Sequence, residues 1–175
     1  VALPKIKFSG PSAMCVKGSH IIGTLEDFPE GLEVTWKVEG AKPLGVTYDT
    51  STPGQIEFVP GDKPGTFTVE VKTKDGRFFA RRTIAVIAFG EIDFDPIAQL
   101  NLGSTVTAVV KPKPAGRKIR WSFVENDLGV AFLVNGKEVQ EYVGTETKIE
   151  LTAGIKTGIV EVKAEDIEAE CASTD

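Results

Sequence analysis

Short stretches of alternating hydrophobic and polar residues recur along the chain, separated by Gly, Pro, Asn and Asp. Val34-Thr35-Trp36-Lys37-Val38 is one example and Val69-Glu70-Val71-Lys72 is another. A period of two places alternate side chains on opposite faces of a β-strand. We find no stretch of useful length with the period of an amphipathic helix. The pattern therefore predicts an all-β chain.

A long segment of this pattern occurs twice. Gly18-Ser19 precedes alternating residues that end at Trp36, and Gly103-Ser104 precedes a matching run that ends at Trp121, 85 residues later throughout. Both tryptophans fall on the apolar face, so we expect both to be buried at equivalent core positions. The predicted inward positions are Ile21, Gly23, Leu25, Val34, Trp36 and Val38 in the first copy, and Val106, Ala108, Val110, Ile119, Trp121 and Phe123 in the second.

Further along, the two copies differ in length. Val69–Lys72 matches Val160–Lys163 at an offset of 91, which requires about six inserted residues in the second copy. We place them in the predicted hairpin Phe132–Val139, whose Asn135-Gly136 pair suits a type I′ turn. Lys74-Asp75-Gly76-Arg77 predicts a turn of the same kind in the first copy, between strands 66–73 and 78–87.

The openings of the two copies also correspond, with Ile6-Lys7-Phe8 set against Ile92-Asp93-Phe94. This correspondence places the boundary near residues 88–90. Each half then has about seven short strands with turn signals between them, which is typical of a β-sandwich. The sequence predicts two tandem sandwich domains, residues 1–88 and 89–175.

In both halves a strand with a central tryptophan is followed by a less regular middle and a glycine-led strand of alternating valines. The residues concerned are Val34-Thr35-Trp36, Tyr48-Asp49, Gly54, Phe58, Pro60-Gly61 and Gly65–Val71, then Ile119-Arg120-Trp121, Gly154 and Gly158–Lys163. This pattern resembles the bacterial immunoglobulin-like domains found in tandem on surface, secreted and phage-tail proteins. The resemblance implies two immunoglobulin-like sandwiches that serve as a spacer, stalk or adhesive module of a larger extracellular or phage-like protein. We expect no cofactor.

The net charge of -5 and the pI near 5.1 argue against nucleic acid or an anionic membrane as the partner. One local exception is a run of five basic residues, Lys111, Lys113, Arg117, Lys118 and Arg120. We interpret this run as a solvated hairpin, and the alternative is a binding site for a polyanion. No apolar run is long enough to span a membrane, and no signal peptide is recognisable. The chain opens at Val1, which suggests a processed product or a fragment of a longer protein, and we expect it to be monomeric.

The two cysteines, Cys15 and Cys171, lie near opposite ends of the chain. If the halves are collinear, their Cα atoms are farther apart than the roughly 7 Å that a disulfide allows. We therefore expect two unpaired thiols, and an intramolecular bridge is the alternative. Neither cysteine has the spacing of a zinc site.

The sequence contains few residues that could form a catalytic site. His20, the single histidine, adjoins Ser19, but neighbouring residues of a strand point to opposite sides and cannot share a proton. The equivalent of His20 in the repeat is Thr105, on the outward face. A hydrolase with paired carboxylates stays open, although no acidic pair can be singled out. We predict a protein that is not an enzyme.

Three acidic residues are the candidate metal ligands. Glu91, Asp93 and Asp95 project from one face of an extended segment at the domain junction, where oxygen-rich calcium sites can stiffen tandem modules. The alternative is that Ile92 and Phe94 face the core while the acidic side chains face water.

The predicted partner contact is the inserted hairpin between residues 130 and 143, because the first half lacks it and functional variation concentrates in loops. Its candidate residues are Asn135, Gly136, Lys137 and Tyr142. Aromatic platforms for a sugar are Tyr48, Tyr142, Phe79 and Phe132. The sequence thus favours a structural or adhesive module. The alternative is a carbohydrate- or receptor-binding accessory module of a secreted enzyme or phage tail, and we expect any partner to be a protein or a glycan.

Overall fold

The computed structural model describes residues 7–169 and 171–175 of the chain, so Ile6 of the predicted opening lies outside the described residues. The chain divides into two compact units, Val1–Ala88 (unit 1) and Phe89–Asp175 (unit 2). Every strand pairing lies within one unit. The described residues contain strands and one 3₁₀ turn at Lys42–Leu44, so the predicted all-β class is confirmed. None of them belongs to a helix long and apolar enough to cross a membrane.

Unit 1 is a sandwich of two four-stranded sheets. Its strands are β1 (Lys7–Ser9), β2 (Ala13–Cys15), β3 (Ile21–Glu26), β4 (Val34–Glu39), β5 (Thr47–Asp49), β6 (Gln55–Val59), β7 (Gly65–Thr73) and β8 (Phe79–Ile87). One sheet has the order β1-β3-β6-β5 and the other β2-β8-β7-β4. All pairings are antiparallel except that of β2 with β8. Strands β1 and β5 are therefore the edges of one sheet, and β2 and β4 are the edges of the other.

The core of unit 1 is formed by the inward residues of both sheets, which β-strand alternation supplies at every second position. Phe58 and Phe67, from opposite sheets, lie with ring centroids 5.1 Å apart. Burial along β7 alternates almost throughout, with Phe67, Val69 and Val71 inside. This alternation agrees with the strand that the pattern Val69-Glu70-Val71-Lys72 predicts.

Unit 2 repeats the sandwich with one more strand. Its strands are β9 (Asp93–Asp95), β10 (Thr105–Val109), β11 (Ile119–Phe123), β12 (Ala131–Val134), β13 (Lys137–Val139), β14 (Tyr142–Gly144), β15 (Lys148–Thr152), β16 (Val162–Asp166) and β17 (Ala172–Thr174). The sheet orders are β13-β12-β15-β10-β9 and β14-β11-β16-β17. The core includes Trp121, Phe132, Ile119 and Leu151.

The strand pairings fix which residues of the two units are equivalent, and they correct the offset of 91. Trp36 lies opposite Val71, and Trp121 lies opposite Ala164, so Val71 matches Ala164 rather than Val162. The opening also shifts, because Phe8 pairs with Leu25 while Phe94 pairs with Ala108, the equivalent of Gly23. Both errors are two residues long, and a shift of two leaves every side chain on the same face, so hydrophobic alternation could not detect them.

Two glycines confirm the corrected alignment. A Cβ at Gly61 would collide with the backbone oxygen of Leu44, and a Cβ at Gly154 would collide with that of Leu128. Each unit therefore needs glycine at this position, because another segment of backbone passes too close for a Cβ atom.

Trp36 is only half-buried, which corrects the expectation that both tryptophans are buried. Its ring packs edge-on against Phe8, with centroids 5.8 Å apart, on the core side of the sheet. Trp121 is fully buried. The physical reason is that β4 is an edge strand, whereas β11 has a strand on each side.

Cys15 and Cys171 are both disulfide-bonded, so the expectation of two unpaired thiols is wrong. That expectation rested on an assumed collinear arrangement of the halves. Alternation and spacing fix neighbours within a sheet but carry no information about such an arrangement.

Candidate partner-binding surface

The connection between β12 and β15 is the main difference between the units. Tyr48 pairs with Phe58 ten positions later, and the equivalent Phe132 pairs with Leu151 nineteen positions later. Unit 2 thus has nine more residues in this connection, and we call the part of it that has no counterpart strand in unit 1, residues 135–144, the inserted segment. The sequence located the insertion correctly but underestimated its length.

The inserted segment adds one strand to each sheet. Strand β13 pairs with β12 at the edge of one sheet, with Val134 opposite Lys137. The chain then crosses through Gln140 and Glu141, and β14 pairs with β11 in the other sheet, with Tyr142 opposite Trp121. One short segment therefore covers one edge of each sheet, beside β12 in one and beside β11 in the other.

The tip of the inserted segment is the predicted type I′ turn. Asn135 and Gly136 both have positive φ, 51° and 76°, as this turn requires at its two central positions. Asn135, Gly136 and Lys137 are exposed. In unit 1 only Gly76 of the turn Lys74–Arg77 has positive φ, so that turn is not of type I′ as predicted.

A hydrogen-bond cluster fixes the crossing between the two sheets. The Asn126 side-chain amide donates to the Val130 carbonyl and, at 2.7 Å, to Oε1 of Gln140. Gln140 Nε2 donates to the same carbonyl at 2.9 Å, and the Val130 N–H donates to Asn126 Oδ1 at 3.2 Å. These hydrogen bonds join the loop of Asn126 and Val130 to Gln140. They fix the position of the segment that follows the exposed tip.

Tyr142 is half-buried and packs against the core of unit 2. A Cβ at Gly144 would lie 2.5 Å from the Tyr142 hydroxyl, so glycine at that position makes room for the tyrosine ring. On the neighbouring strand β11, Trp121 lies opposite Tyr142, and its Nε1 donates a hydrogen bond to the Glu146 carbonyl at 3.0 Å. Of the predicted contact residues, Tyr142 thus has a packing role, while the other three present their atoms to solvent.

Charged side chains surround the outer face of β14. Arg120 Nε lies 3.1 Å from Oε1 of Glu141, and Arg120 Nη1 lies 3.5 Å from Oε1 of Glu165. The pKa of Glu165 is lowered, chiefly by the hydrogen bond from Lys163 and then by the charges of Lys163 and Arg120, which outweigh its partial burial. The surface therefore stays a mosaic of opposite charges, as a solvated face does.

The basic run around residue 117 is largely neutralised. Arg117 makes two hydrogen bonds to Asp166, Nε to Oδ2 at 2.7 Å and Nη2 to Oδ1 at 3.1 Å, and Lys111 lies 3.8 Å from Asp93. Asp166, whose side chain is fully buried, also accepts hydrogen bonds from the N–H groups of Glu168 and Ala169. The sequence missed this pair because its members lie 49 positions apart.

The acidic residues 91, 93 and 95 all point to solvent, while Ile92 is buried and Phe94 is half-buried. Strand β9 pairs with β10, so this segment is a strand of unit 2 rather than a linker. Across the described residues, no three His, Cys, Asp or Glu side chains are grouped as a metal site requires. The calcium site stays a prediction, and a flat calorimetric titration with Ca²⁺ would end it.

His20 is exposed, and its Nδ1 lies 2.9 Å from Oε1 of Glu57 on the outer face of unit 1. This position agrees with the outward placement predicted from the repeat. Among the aromatic residues proposed as sugar platforms, Tyr48 and Phe79 are exposed, but Phe132 is fully buried and stacks on Phe123 at 4.2 Å. Phe132 as a platform is therefore wrong, because the inserted segment encloses it.

Comparison with known proteins finds similarity in fold. No protein-family model and no curated protein matches the sequence. Among solved structures, the C-terminal 282-residue fragment of intimin, determined in complex with the intimin-binding domain of the translocated intimin receptor, has a TM-score of 0.54 and 14% identity. The likeness covers 100% of this chain and 63% of that fragment, so the chain spans less than two thirds of it.

Two further structures give lower scores. The adhesin InvE of Yersinia pseudotuberculosis has a TM-score of 0.34 and 16% identity over 97% of this chain and 57% of its own. Domains 4 and 5 of the S-layer protein SbsC have a TM-score of 0.34 and 13% identity over 97% of this chain and 96% of theirs. The fold of the chain is that of tandem immunoglobulin-like β-sandwiches, as the sequence pattern predicted.

Proposed function

We propose that the chain is a non-enzymatic structural and adhesive module of a larger extracellular or surface protein. The observation that carries the proposal is the inserted segment of unit 2, whose exposed tip has no counterpart in unit 1. A rigid scaffold that presents a variable loop is a common way to build a binding surface. The intimin fragment, solved with a receptor domain, shares this fold across the whole chain and is in keeping with this role.

The disulfide-bonded state of Cys15 and Cys171 supports the location outside the reducing cytosol. Disulfides persist in secreted, surface and periplasmic proteins and are rare in the cytosol. We expect a thiol titration of the denatured, unreduced protein to find no free thiol. Two titratable thiols in protein prepared from an oxidising compartment would contradict this location.

The proposed contact is made by Asn135, Gly136 and Lys137 at the tip of the inserted segment. Lys137 is exposed and lies next to the two turn residues, so its charge reaches a partner without disturbing the core. The test counts beads coated with the full chain on monolayers of cultured epithelial cells. Beads coated with albumin give the background.

We expect wild-type beads to bind above background and Lys137→Glu beads to lose about tenfold in apparent affinity, the loss that one reversed interface charge causes. Lys148→Glu is the matched control, because Lys148 is an exposed lysine on β15 of the same unit. If both variants bind as well as the wild type, the tip does not contact the partner. Wild-type binding at background would contradict the adhesive role on these cells.

The alternative, a carbohydrate-binding accessory module, is supported by Tyr48 and Phe79, whose side chains are 49% and 58% exposed. Exposed aromatic rings stack on sugar faces. A glycan array of the full chain separates the two functions. Hits that disappear in Tyr48→Ala or Phe79→Ala would favour sugar binding, and an array without hits favours the structural and adhesive role.

A further inference from the structure

Each unit has a hairpin tip in which glycine follows a residue with a side-chain carbonyl group. Asn135-Gly136 lies between β12 and β13 of unit 2, and Asp75-Gly76 lies between β7 and β8 of unit 1. In either pair, attack by the glycine nitrogen on the preceding side-chain carbonyl carbon would close a five-membered succinimide ring. Glycine hinders this attack least, because it has no Cβ atom.

The tip of unit 1 is protected against this reaction. Oδ1 of Asp75 accepts hydrogen bonds from Thr73 Oγ1 at 2.7 Å and from the Arg77 N–H at 3.1 Å. These hydrogen bonds lower the pKa of Asp75, and the resulting carboxylate resists attack because it is negatively charged and has no good leaving group. The Gly76 N–H donates to the Thr73 carbonyl at 2.9 Å. Both reacting groups are therefore engaged elsewhere.

The tip of unit 2 has none of these restraints. Within the described parts of the chain, the Asn135 amide has no hydrogen-bond partner and the Gly136 N–H donates to no acceptor. Both residues are exposed, and a Cβ at Gly136 would have no heavy atom within 4 Å. An amide also carries a leaving group, which departs as ammonia. The nucleophile and the electrophile are thus both available.

The other two asparagines of the chain lack this combination. The Asn126 side-chain amide donates to the Val130 carbonyl and to Gln140 Oε1, and an aspartate follows it in the sequence. Asn101 is followed by Leu102, whose branched side chain obstructs the approach of its own nitrogen. The structure therefore singles out one asparagine.

The turn conformation is the main barrier that is left at this tip. Ring closure requires the Asn135 backbone to leave the left-handed region, where its φ is 51°. The turn is continued by β13, which has three residues and pairs only with β12 at the edge of its sheet. A short edge strand of this kind opens locally at a low free-energy cost while the core stays folded.

We propose that Asn135 is a site of spontaneous deamidation, selected by the open tip of unit 2, while the matched tip of unit 1 is protected. The Gly136 nitrogen forms a bond to Cγ of Asn135, the bond from Cγ to Nδ2 breaks, and Nδ2 leaves as ammonia with the proton of the Gly136 N–H. Water then opens the succinimide at either of its carbonyl groups. The products are aspartate and isoaspartate.

Both products change the tip of the inserted segment. Each places a negative charge two positions before Lys137. Isoaspartate also adds a methylene group to the main chain, which a two-residue type I′ turn does not accommodate, so the pairing of Val134 with Lys137 is weakened. Binding through the tip should therefore decline as the protein ages, a consequence that rests on the proposed adhesive function, whereas the deamidation does not.

The first test incubates the full chain in mildly alkaline buffer at physiological temperature and follows each asparagine by peptide mapping and mass spectrometry. We expect Asn135 to convert at least about tenfold faster than Asn126, because the need to break even one hydrogen bond slows Asn126 by about that factor. Isoaspartate and aspartate should accumulate together at position 135, as ring opening predicts. Conversion of Asn135 no faster than that of Asn126, or aspartate without isoaspartate, would overturn the proposal.

The matched control is Asp75→Asn, which places the same Asn-Gly pair at the tip of unit 1. There the Gly76 N–H is still held by the Thr73 carbonyl, and Thr73 Oγ1 is still a donor to the side-chain oxygen. We expect position 75 of this variant to convert several-fold more slowly than Asn135 of the same molecule. Equal rates would show that the dipeptide alone sets the rate and would overturn the selection by the tip.

The effect on adhesion is tested with Asn135→Gly, which removes the amide and keeps a Gly-Gly pair that also suits a type I′ turn. In the bead assay, wild-type protein should lose binding as position 135 converts, whereas the variant should keep its own initial binding over the same period. Unchanged binding of fully converted protein would overturn this effect. If fresh protein does not bind at all, the adhesive function fails, and mass spectrometry still decides the deamidation.

Discussion

Two equivalent aromatic positions are buried from solvent in unit 2 and partly exposed in unit 1. In unit 2, β13 and β14 cover the sheet edges, and Trp121 and Phe132 are fully buried. In unit 1, β4 and β5 are themselves edge strands, so Trp36 is half-buried and Tyr48 is 49% exposed. The difference arises from the longer connection between β12 and β15 and not from the core residues. The burial of an aromatic residue at a given position of a sandwich thus depends on whether another strand covers its edge.

At the positions of Lys37 and Glu39, the open edge strand of unit 1 carries charge, whereas the equivalent residues of unit 2, Ser122 and Val124, are uncharged. Lys37 and Glu39 point outward from β4 and lie 2.8 Å apart, and the pKa of Glu39 is lowered by the hydrogen bond from Lys37 and by its charge. The residue equivalent to Lys37 is Ser122, beside the covering strand. Charged side chains on an exposed edge discourage pairing with other chains.

The largest expected difference between the units is in the two tryptophans. Trp121→Ala removes a fully buried ring and should cost about 3–5 kcal/mol. Trp36→Ala removes a half-buried ring and should cost roughly half as much. Calorimetric unfolding of the full chain measures both, and equal losses would show that the edge of unit 1 is closed by other means.

The next effect concerns Thr73 and Asp166, which occupy equivalent positions. Arg117→Ala leaves the buried Asp166 carboxylate without its cation and should destabilise unit 2 by about 3 kcal/mol. The control Arg120→Ala removes a more exposed arginine and should cost at most about 1 kcal/mol. Similar losses in urea unfolding would show that Arg117 contributes no more than a surface ion pair.

A smaller effect is expected from pH. Burial would by itself raise the pKa of Asp166, but the hydrogen bonds from Arg117, Glu168 and Ala169 and the charge of Arg117 hold it below its ordinary value. A lowered folded pKa stabilises the protein above the unfolded value of about 3.9, and this stabilisation is lost as pH falls through the folded pKa. Unit 1 has the uncharged Thr73 at this position.

Amide exchange should therefore show that unit 2 loses more protection than unit 1 between pH 6 and about pH 3. In Asp166→Asn the difference between the units should shrink. A wild-type chain in which unit 1 opens first on acidification would contradict this assignment.

Alternation was enough to predict most of the longer strands, and the Asn135-Gly136 pair predicted the type I′ turn of unit 2, because each depends on residues close in sequence. The same turn type predicted for unit 1 was wrong. The inserted segment was located by its Asn-Gly pair, but the strand β14 was missed, since Tyr142-Val143-Gly144 is too short for alternation to mark. The Arg117–Asp166 pair, the bonding of Cys15 and Cys171 and the two-residue register shifts depend on long-range placement. None of these leaves a periodic signal in a single sequence.

The most direct test of the central claim, that the inserted segment closes unit 2 while unit 1 stays open, is acrylamide quenching of two single-tryptophan variants of the full chain. Trp121→Phe leaves Trp36 as the reporter, and Trp36→Phe leaves Trp121. We expect Trp36 fluorescence to be quenched several-fold more strongly than Trp121 fluorescence and to emit at longer wavelength. Equal quenching of the two would contradict the account.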